Sequence, residues 1–268
     1  MDLELSGQVA VVVGGARGIG RAMALAMAGE GANLVIVDRD AMVESVGAEF
    51  SQQTGRSVLA RQGDVTDYDS MRLIAADTHD LYGRVDHVLF AAGAGSGKFG
   101  FPFWNLEPGD WQRVLNVNLV GAVNVAHAFA PEMIAARRGT FLFISSIAGQ
   151  IGSPTDPPYS AAKAGLINFS QCAAKDLAEY NVRVNCICPG MIKTELNQGV
   201  WSAWRSRQPD GAASYENWAA EKIRRNVPLN RWQDPEDVAA LAVFLASPRA
   251  KNITGQTMNV DGGQVMHW

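Results

Sequence analysis

The chain has 268 residues, of which 47% are hydrophobic and 19% charged; this is a globular composition with enough apolar material for a sizeable core, which excludes disorder along most of the length. A net charge of -4 offers no field that would attract a polyanion, so nucleic acid is excluded as a first reading. The three cysteines, Cys172, Cys186 and Cys188, are an odd number in a long chain and make no disulfide framework.

The opening Met1 to Leu5 lacks the basic start and apolar core of a signal peptide, and no run approaches the ~18 to 20 apolar residues of a membrane span. A cytoplasmic protein is therefore expected. Val9 to Val13 is a short apolar run that ends in glycines, and a stretch rich in Ala and Met, Arg21 to Glu30, follows it. This predicts a strand, a tight turn and a helix. Gly14, Gly18 and Gly20 lie in that turn, with Arg17 and Ile19 between them. Glycines there let the backbone approach a pyrophosphate, which then rests on the amides and positive end of the helix beginning near Gly18.

Asn33 to Val37 is apolar and β-branched and stops at Asp38. A carboxylate at that point can accept from the adenosine ribose hydroxyls and would repel a phosphate, so Asp38 favours NAD over NADP. Arg17 and Arg39 lie close enough in sequence to offer a phosphate some compensation. Helix-compatible sequence runs from Ala41 to Gln53, and a third strand is expected at Ser57 to Gln62. Asp64 and Val65 follow it, where a dinucleotide site would touch adenine; a cap for the next helix explains Asp64 nearly as well. The fourth strand, His87 to Ala91, closes on Ala91-Ala92-Gly93, small residues that would let a cofactor lie against the sheet edge. Ordinary turn chemistry is the other explanation.

Asn118 falls in a long helical stretch where asparagine is disfavoured. It is either a satisfied helix polar group or the partner of a proton-relay water. Thr140 to Ser145 predicts a fifth strand, and Ser146 follows it where a hydroxyl could hold a reacting oxygen or simply cap a turn. In Pro157-Pro158-Tyr159-Ser160-Ala161-Ala162-Lys163 the prolines can open a helix, which sets Tyr159 and Lys163 one turn apart on one face. A free tyrosine titrates at about 10. An ammonium nearby favours the phenolate, so the pair is expected to make a general acid/base with a lowered tyrosine pKa.

Further strands are expected at Val182 to Ile187 and Thr257 to Val260. Continuous apolar strands alternating with helices indicate an α/β fold with a parallel sheet covered on both faces. The segment from about residue 194 to 226 holds Trp201, Trp204, Tyr215 and Trp218 among four arginines. It is either a surface helical pair packed on the sheet or a lid over a substrate pocket. Phe99-Gly100-Phe101-Pro102-Phe103-Trp104 and Gln150 to Thr155 are further candidate pocket walls. Aromatic walls suit apolar secondary alcohols and equally a sugar or polyol. The four histidines, His79, His87, His127 and His267, pair with no cysteine at zinc-site spacing, so no structural metal is expected.

Taken together these residues resemble the classical, single-domain branch of the short-chain dehydrogenase/reductase family. The resemblance covers nearly the whole chain: the Gly14 to Gly20 turn, Asp38, Asp64, Asn118, Ser146, Tyr159 with Lys163, Pro189-Gly190 with Thr194, and the Val260-Asp261-Gly262-Gly263 ending. It implies a Rossmann-like doubly wound parallel sheet of seven strands, in one domain, and hydride transfer between a nicotinamide and a substrate carbon. Tyr159 would give or take the hydroxyl proton, Lys163 would lower its pKa and bond the nicotinamide ribose, Ser146 would hold the substrate oxygen, and Asn118 would support a water. Pro189, Ile192 and Thr194 would position the nicotinamide carboxamide and pyrophosphate. The resemblance also implies a homotetramer with the long helices packed between subunits.

Two departures stand out. Val13 and Ala91 replace the family's usual threonine and asparagine, polar groups that help tie the first and fourth strands. Losing both partners at once should cost far less than losing one, because no buried donor is left unpaired. The enoyl reductases of the superfamily place lysine six residues after tyrosine, whereas position 165 here is Gly165, which disfavours double-bond reduction. The reading is an NAD-dependent oxidoreductase of a secondary alcohol or ketone. An NADPH-dependent ketoacyl carrier-protein reductase, a sugar or polyol dehydrogenase and a non-catalytic nicotinamide sensor are the alternatives.

Overall fold

The structure is a computed structural model that describes residues 2–99, 102–152, 156–208 and 213–267. Its centre is a sheet of seven parallel strands: β1 Val9–Val13, β2 Asn33–Asp38, β3 Val58–Gln62, β4 His87–Phe90, β5 Gly139–Ile144, β6 Val182–Pro189 and β7 Thr257–Val260. The spatial order is β3-β2-β1-β4-β5-β6-β7, so the chain winds outward from β1 to one edge, returns to β4 and winds to the other. Ligands in such sheets bind at the carboxyl ends of the strands, in the crevice where the order reverses. Here that crevice lies between β1 and β4, which pair from Ala10↔His87 to Val13↔Phe90.

Every residue of β1 is buried, as expected of a central strand with helices on both faces. The two faces form separate cores. Ala10, Val12, Leu34 and Ile36 point to the side packed by α1 (Gly18–Gly29) and, later in the chain, α9 (Pro235–Ala246). Val9, Val11, Val13 and Val35 point to the other, with Phe129, Phe141 and Phe143. The period of two sorts each strand between them.

The connections complete the wrap. α2 (Val43–Thr54) follows β2, and α3 (Tyr68–Tyr82) follows β3 with Asp67 as its cap, accepting from the Asp69 and Ser70 amides. Between β4 and β5 lie α4 (Pro108–Leu115), a π-helical turn at Asn116–Val120 and α5 (Gly121–Ala136). These form one helical path from Pro108 to Ala136, long and apolar enough by composition to cross a membrane, contrary to the expectation that no segment approaches that limit. Ala122, Val125, Phe129 and Met133 bury one face of it on the sheet, which is the behaviour of a core helix. α6 (Pro157–Leu177) begins at the two prolines. α7 (Glu195–Arg205) and α8 (Tyr215–Asn226) then form a pair that stands outside the α/β alternation, before α9.

Candidate active site

The glycine turn is built by contact as much as by backbone freedom. Gly14 has φ +81°, and a side-chain carbon on it would come within 2.6 Å of the Ala92 nitrogen; one on Gly20 would sit 1.9 Å from the Gly14 carbonyl. The turn is therefore pressed against Ala91-Ala92 at the end of β4, and the Ala91 amide donates to the Val13 carbonyl at 2.8 Å. The strand tie that the family makes with side chains is made here by backbone, with Val13 buried and apolar. α1 opens with no side-chain cap and no acid in its first turn. Its free amides and positive end are available to a phosphate.

Asp38 ends β2 beside this turn. Its carboxylate accepts from the Ala16 amide at 3.2 Å and the Asp40 amide at 3.1 Å. Arg17 is drawn away from the role of phosphate partner: its guanidinium bonds Asp40, reaches Glu195 at 3.3 Å and contacts the Met42 sulfur. Asp64 is exposed and accepts from the Thr66 amide and hydroxyl, each at 2.8 Å. It makes a local turn, and Asp67 is the cap of α3. Val65 is buried against Gly121, and its carbonyl accepts from Asn124 at 2.8 Å.

From the other side, β6 ends at Pro189, and the Gly190 amide donates to the Val260 carbonyl at 2.9 Å. A side chain at Gly190 would strike Asp261, so this glycine serves the approach of the carboxyl-terminal loop. Ile192 is buried and bridges Gln233. The Thr194 methyl lies 3.7 Å from the point where Gly18 would carry a side chain. The residues after β6 thus close over the glycine turn, and Thr194 is the one that faces it.

Around Gly93 the remaining candidates converge. A side-chain carbon at Gly93 would be 3.0 Å from Asn118 Oδ1 and 3.5 Å from Lys163 Nζ. Lys163 is 3% exposed, donates to the Ile144 carbonyl at 2.8 Å, and stands 5.5 Å from the centroid of the Tyr159 ring. Ser145 and Ser146 divide the work at the end of β5. The buried Ser145 hydroxyl donates to the Lys163 carbonyl at 2.8 Å and fastens α6 to the sheet. The Ser146 hydroxyl accepts from the Ala148 amide at 3.1 Å and interacts with the Tyr159 hydroxyl.

One expectation is corrected here. The Tyr159 pKa is not lowered: burial pushes it up to about 12, opposed by Ser146 and assisted by the nearby Asp156 carboxylate. Lys163 turns its head to Ile144, and its own pKa falls to about 8 because burial penalises its charge. Desolvation of the phenolate outweighs any help from a cation held over the ring face. Asn118 is a satisfied helix polar group, one of the two readings its sequence leaves open. It sits in the π-helical turn, fully buried, with both amide hydrogens committed, to the Ala94 carbonyl at 2.7 Å and the Val114 carbonyl at 2.8 Å; its oxygen accepts from the Ala94 amide at 3.3 Å. With both donors used, its side chain anchors the loop after β4.

Several contributors were not legible in the sequence. Asp156, 3% exposed, accepts from the Ser96 amide at 2.7 Å, while its second oxygen is buried without a hydrogen-bond partner. Arg113 reaches from α4 to the Gly95 and Ser96 carbonyls at 2.8 and 2.9 Å. The only local signal for Asp156 was an acid directly before a Pro-Pro helix start. Gly149 is a third, since a side chain there would strike the Lys163 carbonyl carbon at 2.7 Å.

The proposed pocket walls separate. Phe103 and Trp104 are 62% and 71% exposed and pack on each other. Gly100, Phe101 and Ser153 to Thr155 lie outside the described residues. Gln150 donates to Asn259 at 2.7 Å. The Trp-rich segment packs chiefly on itself, Trp201 on Tyr215, Tyr215 on Trp218 and Trp232, and Trp204 on Trp218. A cavity of about 320 Å³ remains between this pair of helices and Phe99.

Comparison with known proteins places this architecture. The family model described as Enoyl-(Acyl carrier protein) reductase matches residues 14–265. A 3-oxoacyl-[acyl-carrier-protein] reductase of Synechocystis sp. is 36% identical over 98% of this chain and 98% of its own. Sorbitol-6-phosphate 2-dehydrogenase of Escherichia coli is 34% identical over 97% and 99%. The crystal structure of L-sorbose reductase from Gluconobacter frateurii, complexed with NADPH and L-sorbose, superposes with a TM-score of 0.92 at 29% identity over all of both chains. Fold, motif order and these likenesses agree: the chain belongs to the short-chain dehydrogenase/reductase family of nicotinamide-binding oxidoreductases.

Proposed function

We propose that the chain is an NAD-dependent dehydrogenase/reductase that interconverts a secondary alcohol and its ketone, with Tyr159 as the general acid/base. The observation that carries this reading is the convergence on Gly93. Lys163 and Asn118 approach that glycine, Tyr159 and Ser146 stand beside them, and the glycine turn lies across the same crevice. A non-catalytic nicotinamide sensor would have no use for a proton donor there.

Bound nicotinamide would supply or accept the hydride and, when oxidised, add a positive charge to the site. Tyr159 would hand its proton to a carbonyl oxygen in reduction and take the hydroxyl proton in oxidation. Its raised pKa keeps the phenol protonated at neutral pH, the form that reduction needs. Lys163 retains two N–H groups after its bond to Ile144, enough to hold a ribose. Ser146 would orient the substrate oxygen.

The choice of NAD rests on Asp38 and on the pairing of Arg17 with Asp40 and Glu195, which leaves negative charge where a 2′-phosphate would sit. Among substrates, the half-buried Trp204 indole in the α7–α8 cavity suits the flat apolar face of a sugar or polyol. The likeness to L-sorbose reductase and to sorbitol-6-phosphate 2-dehydrogenase supports that class. The α7–α8 pair would then act as the lid. Reduction of a ketoacyl carrier-protein substrate is the second reading, favoured by the Synechocystis relative and disfavoured by the acidic balance of the chain. Double-bond reduction is disfavoured by Gly165 at the enoyl reductases' lysine position. The outer face of the Pro108–Ala136 helical path, largely unburied, would be covered in a homotetramer. Three free cysteines, Cys172, Cys186 and Cys188, support a reducing, cytoplasmic setting.

The test is a nicotinamide absorbance assay with NAD(H) and NADP(H) against ketoses, polyols, simple secondary alcohols and a ketoacyl thioester. Turnover of a ketose or polyol with NAD(H) supports the reading. Turnover confined to the thioester with NADPH would replace it with the second.

A further inference from the structure

The cavity of about 320 Å³ held by α7 and α8 is lined by Phe99, Trp204, Trp218, Glu221, Lys222 and Arg225 among others. Trp204 and Trp218 stand 6.2 Å apart between ring centroids. Lys222 follows Trp218 by one helical turn, and its Nζ rests 4.5 Å from the centroid of that indole. The stem is thereby laid along the aromatic wall and the ammonium is held at the cavity surface. The acid in the same lining, Glu221, is engaged by Arg225. Among the described residues no carboxylate pairs with Lys222. Its partial desolvation lowers its pKa, as follows for a cation with nothing opposite it.

The cavity is adjacent to the reacting centre. The Phe99 ring lies 2.9 Å from the point where Gly95 would carry a side chain, and Asp156 Oδ2 is at the same distance from that point. Asp156 precedes Tyr159 by one turn of α6. Phe99 of the cavity lining and Asp156, one turn before Tyr159, thus meet at Gly95, so the wall of the cavity is continuous with the wall of the reacting centre. A neutral sugar could lie on the Trp204 indole without any use for an ammonium. A cation with no carboxylate partner beside it selects for negative charge, since a charge-assisted hydrogen bond in a partly dry site is roughly twice as strong as a neutral one.

We propose that this cavity receives an anionic substituent of the substrate, a phosphate ester or a carboxylate, on the Lys222 ammonium, while the carbonyl or carbinol carbon of the same molecule reaches Tyr159. The assignment rests on the alcohol/ketone reading above and adds the class of substrate. The apolar C–H face of the substrate would lie on the Trp204 indole, and the anion would fix which end enters first.

Matched pairs test it with the intact enzyme: fructose 6-phosphate against fructose, and a medium-chain oxo acid against its methyl ester. Binding is followed by quenching of tryptophan fluorescence, and turnover by nicotinamide absorbance. The charged member of at least one pair is expected to bind about tenfold more tightly, a difference of about 1.4 kcal/mol, and the pair that discriminates identifies phosphate or carboxylate as the group held. Lys222→Met should bring that ratio close to one, and Lys222→Arg should restore it, which separates loss of charge from loss of fold. Equal affinity within both pairs, or a preference that persists in Lys222→Met, overturns the proposal. Turnover without charge discrimination sinks the anion site alone. A Lys222-dependent preference in binding with no turnover of any compound sinks the alcohol/ketone reading and leaves the site standing.

Discussion

The β1–β4 crevice and the α7–α8 pair are built on opposite principles. The crevice is assembled from contacts that tolerate no added atom: the Gly20 position has 1.9 Å to the Gly14 carbonyl, and Gly14 has 2.6 Å to Ala92. The helical pair is assembled from large rings that meet at 5.8 to 6.2 Å between centroids, with a cavity left between them. α7 buries no residue fully, and α8 buries only Trp218, Ala219 and Ile223. On the proposed reading, a dinucleotide common to many enzymes would be met by close-packed backbone, and the variable substrate by side chains that can be exchanged with little effect on the sheet.

The comparison is sharpest at Tyr159. If chemistry and cofactor binding are separable, Tyr159→Phe should lower kcat by about a thousandfold while NAD still binds, measured by turnover and by quenching of protein fluorescence. Near-normal turnover would remove the acid/base from the site.

The next effect concerns the foot of the sheet, far from either ligand. His87 is buried with Nε2 at 2.7 Å from Gln8 Oε1, and its pKa is depressed to about 4 by burial. Below its ordinary value of 6.5 the unfolded chain binds the proton that the folded chain refuses, so stability rises with pH through the window from 4 to 6.5. The contribution is complete above 6.5 and is lost as pH falls toward 4. At ~1.36 kcal/mol per unit this amounts to about 3 kcal/mol. Denaturant unfolding at a series of pH values should show that slope, and His87→Gln should flatten it.

Smaller again is Ala91→Asn, which would place an amide against Val13 and the Gly20 backbone with no side chain to answer it. A loss of about 2 kcal/mol is expected, and an unchanged melting temperature would count against the idea that Val13 and Ala91 are a matched replacement. Asp38→Ala should weaken NAD binding by about tenfold, the worth of one charge-assisted hydrogen bond, with a relative gain for NADP. A shift toward NAD would reverse the cofactor assignment. The mildest change in stability is expected from Trp204→Ala on the half-exposed helical pair, within about 1 kcal/mol, although KM should rise. A large fall in melting temperature there would show that the pair belongs to the core after all.

All seven strands were legible within a residue or two because each is a short apolar run bounded by glycines, acids or polar turns. The candidate site was legible where chemistry needs a fixed spacing: three glycines in a turn, an acid after β2, tyrosine and lysine one turn apart. What spacing cannot convey is environment. Tyr159 and Lys163 lie where expected on α6, yet burial moves the phenol up and the amine down, opposite to the simple expectation for the tyrosine. That Asn118 anchors the Ala94 backbone was not legible either, because the π-helical turn that aims it inward has no signature in a single sequence.

From the order of residues alone came the parallel sheet, the glycine turn, the acid after β2 on which the NAD proposal rests and the pairing of a phenol with an amine, since each depends on local periodicity or on separations within one element. Folding decided the rest: which hydroxyl of Ser145 and Ser146 faces the site, that Arg17 is paired with Asp40 and Glu195, that Asp156 lies buried beside Tyr159, and that Lys222 lies over the Trp218 indole with no carboxylate partner among the described residues. These are properties of desolvation and of contacts between elements distant in the chain, and both come into being only when the chain closes on itself.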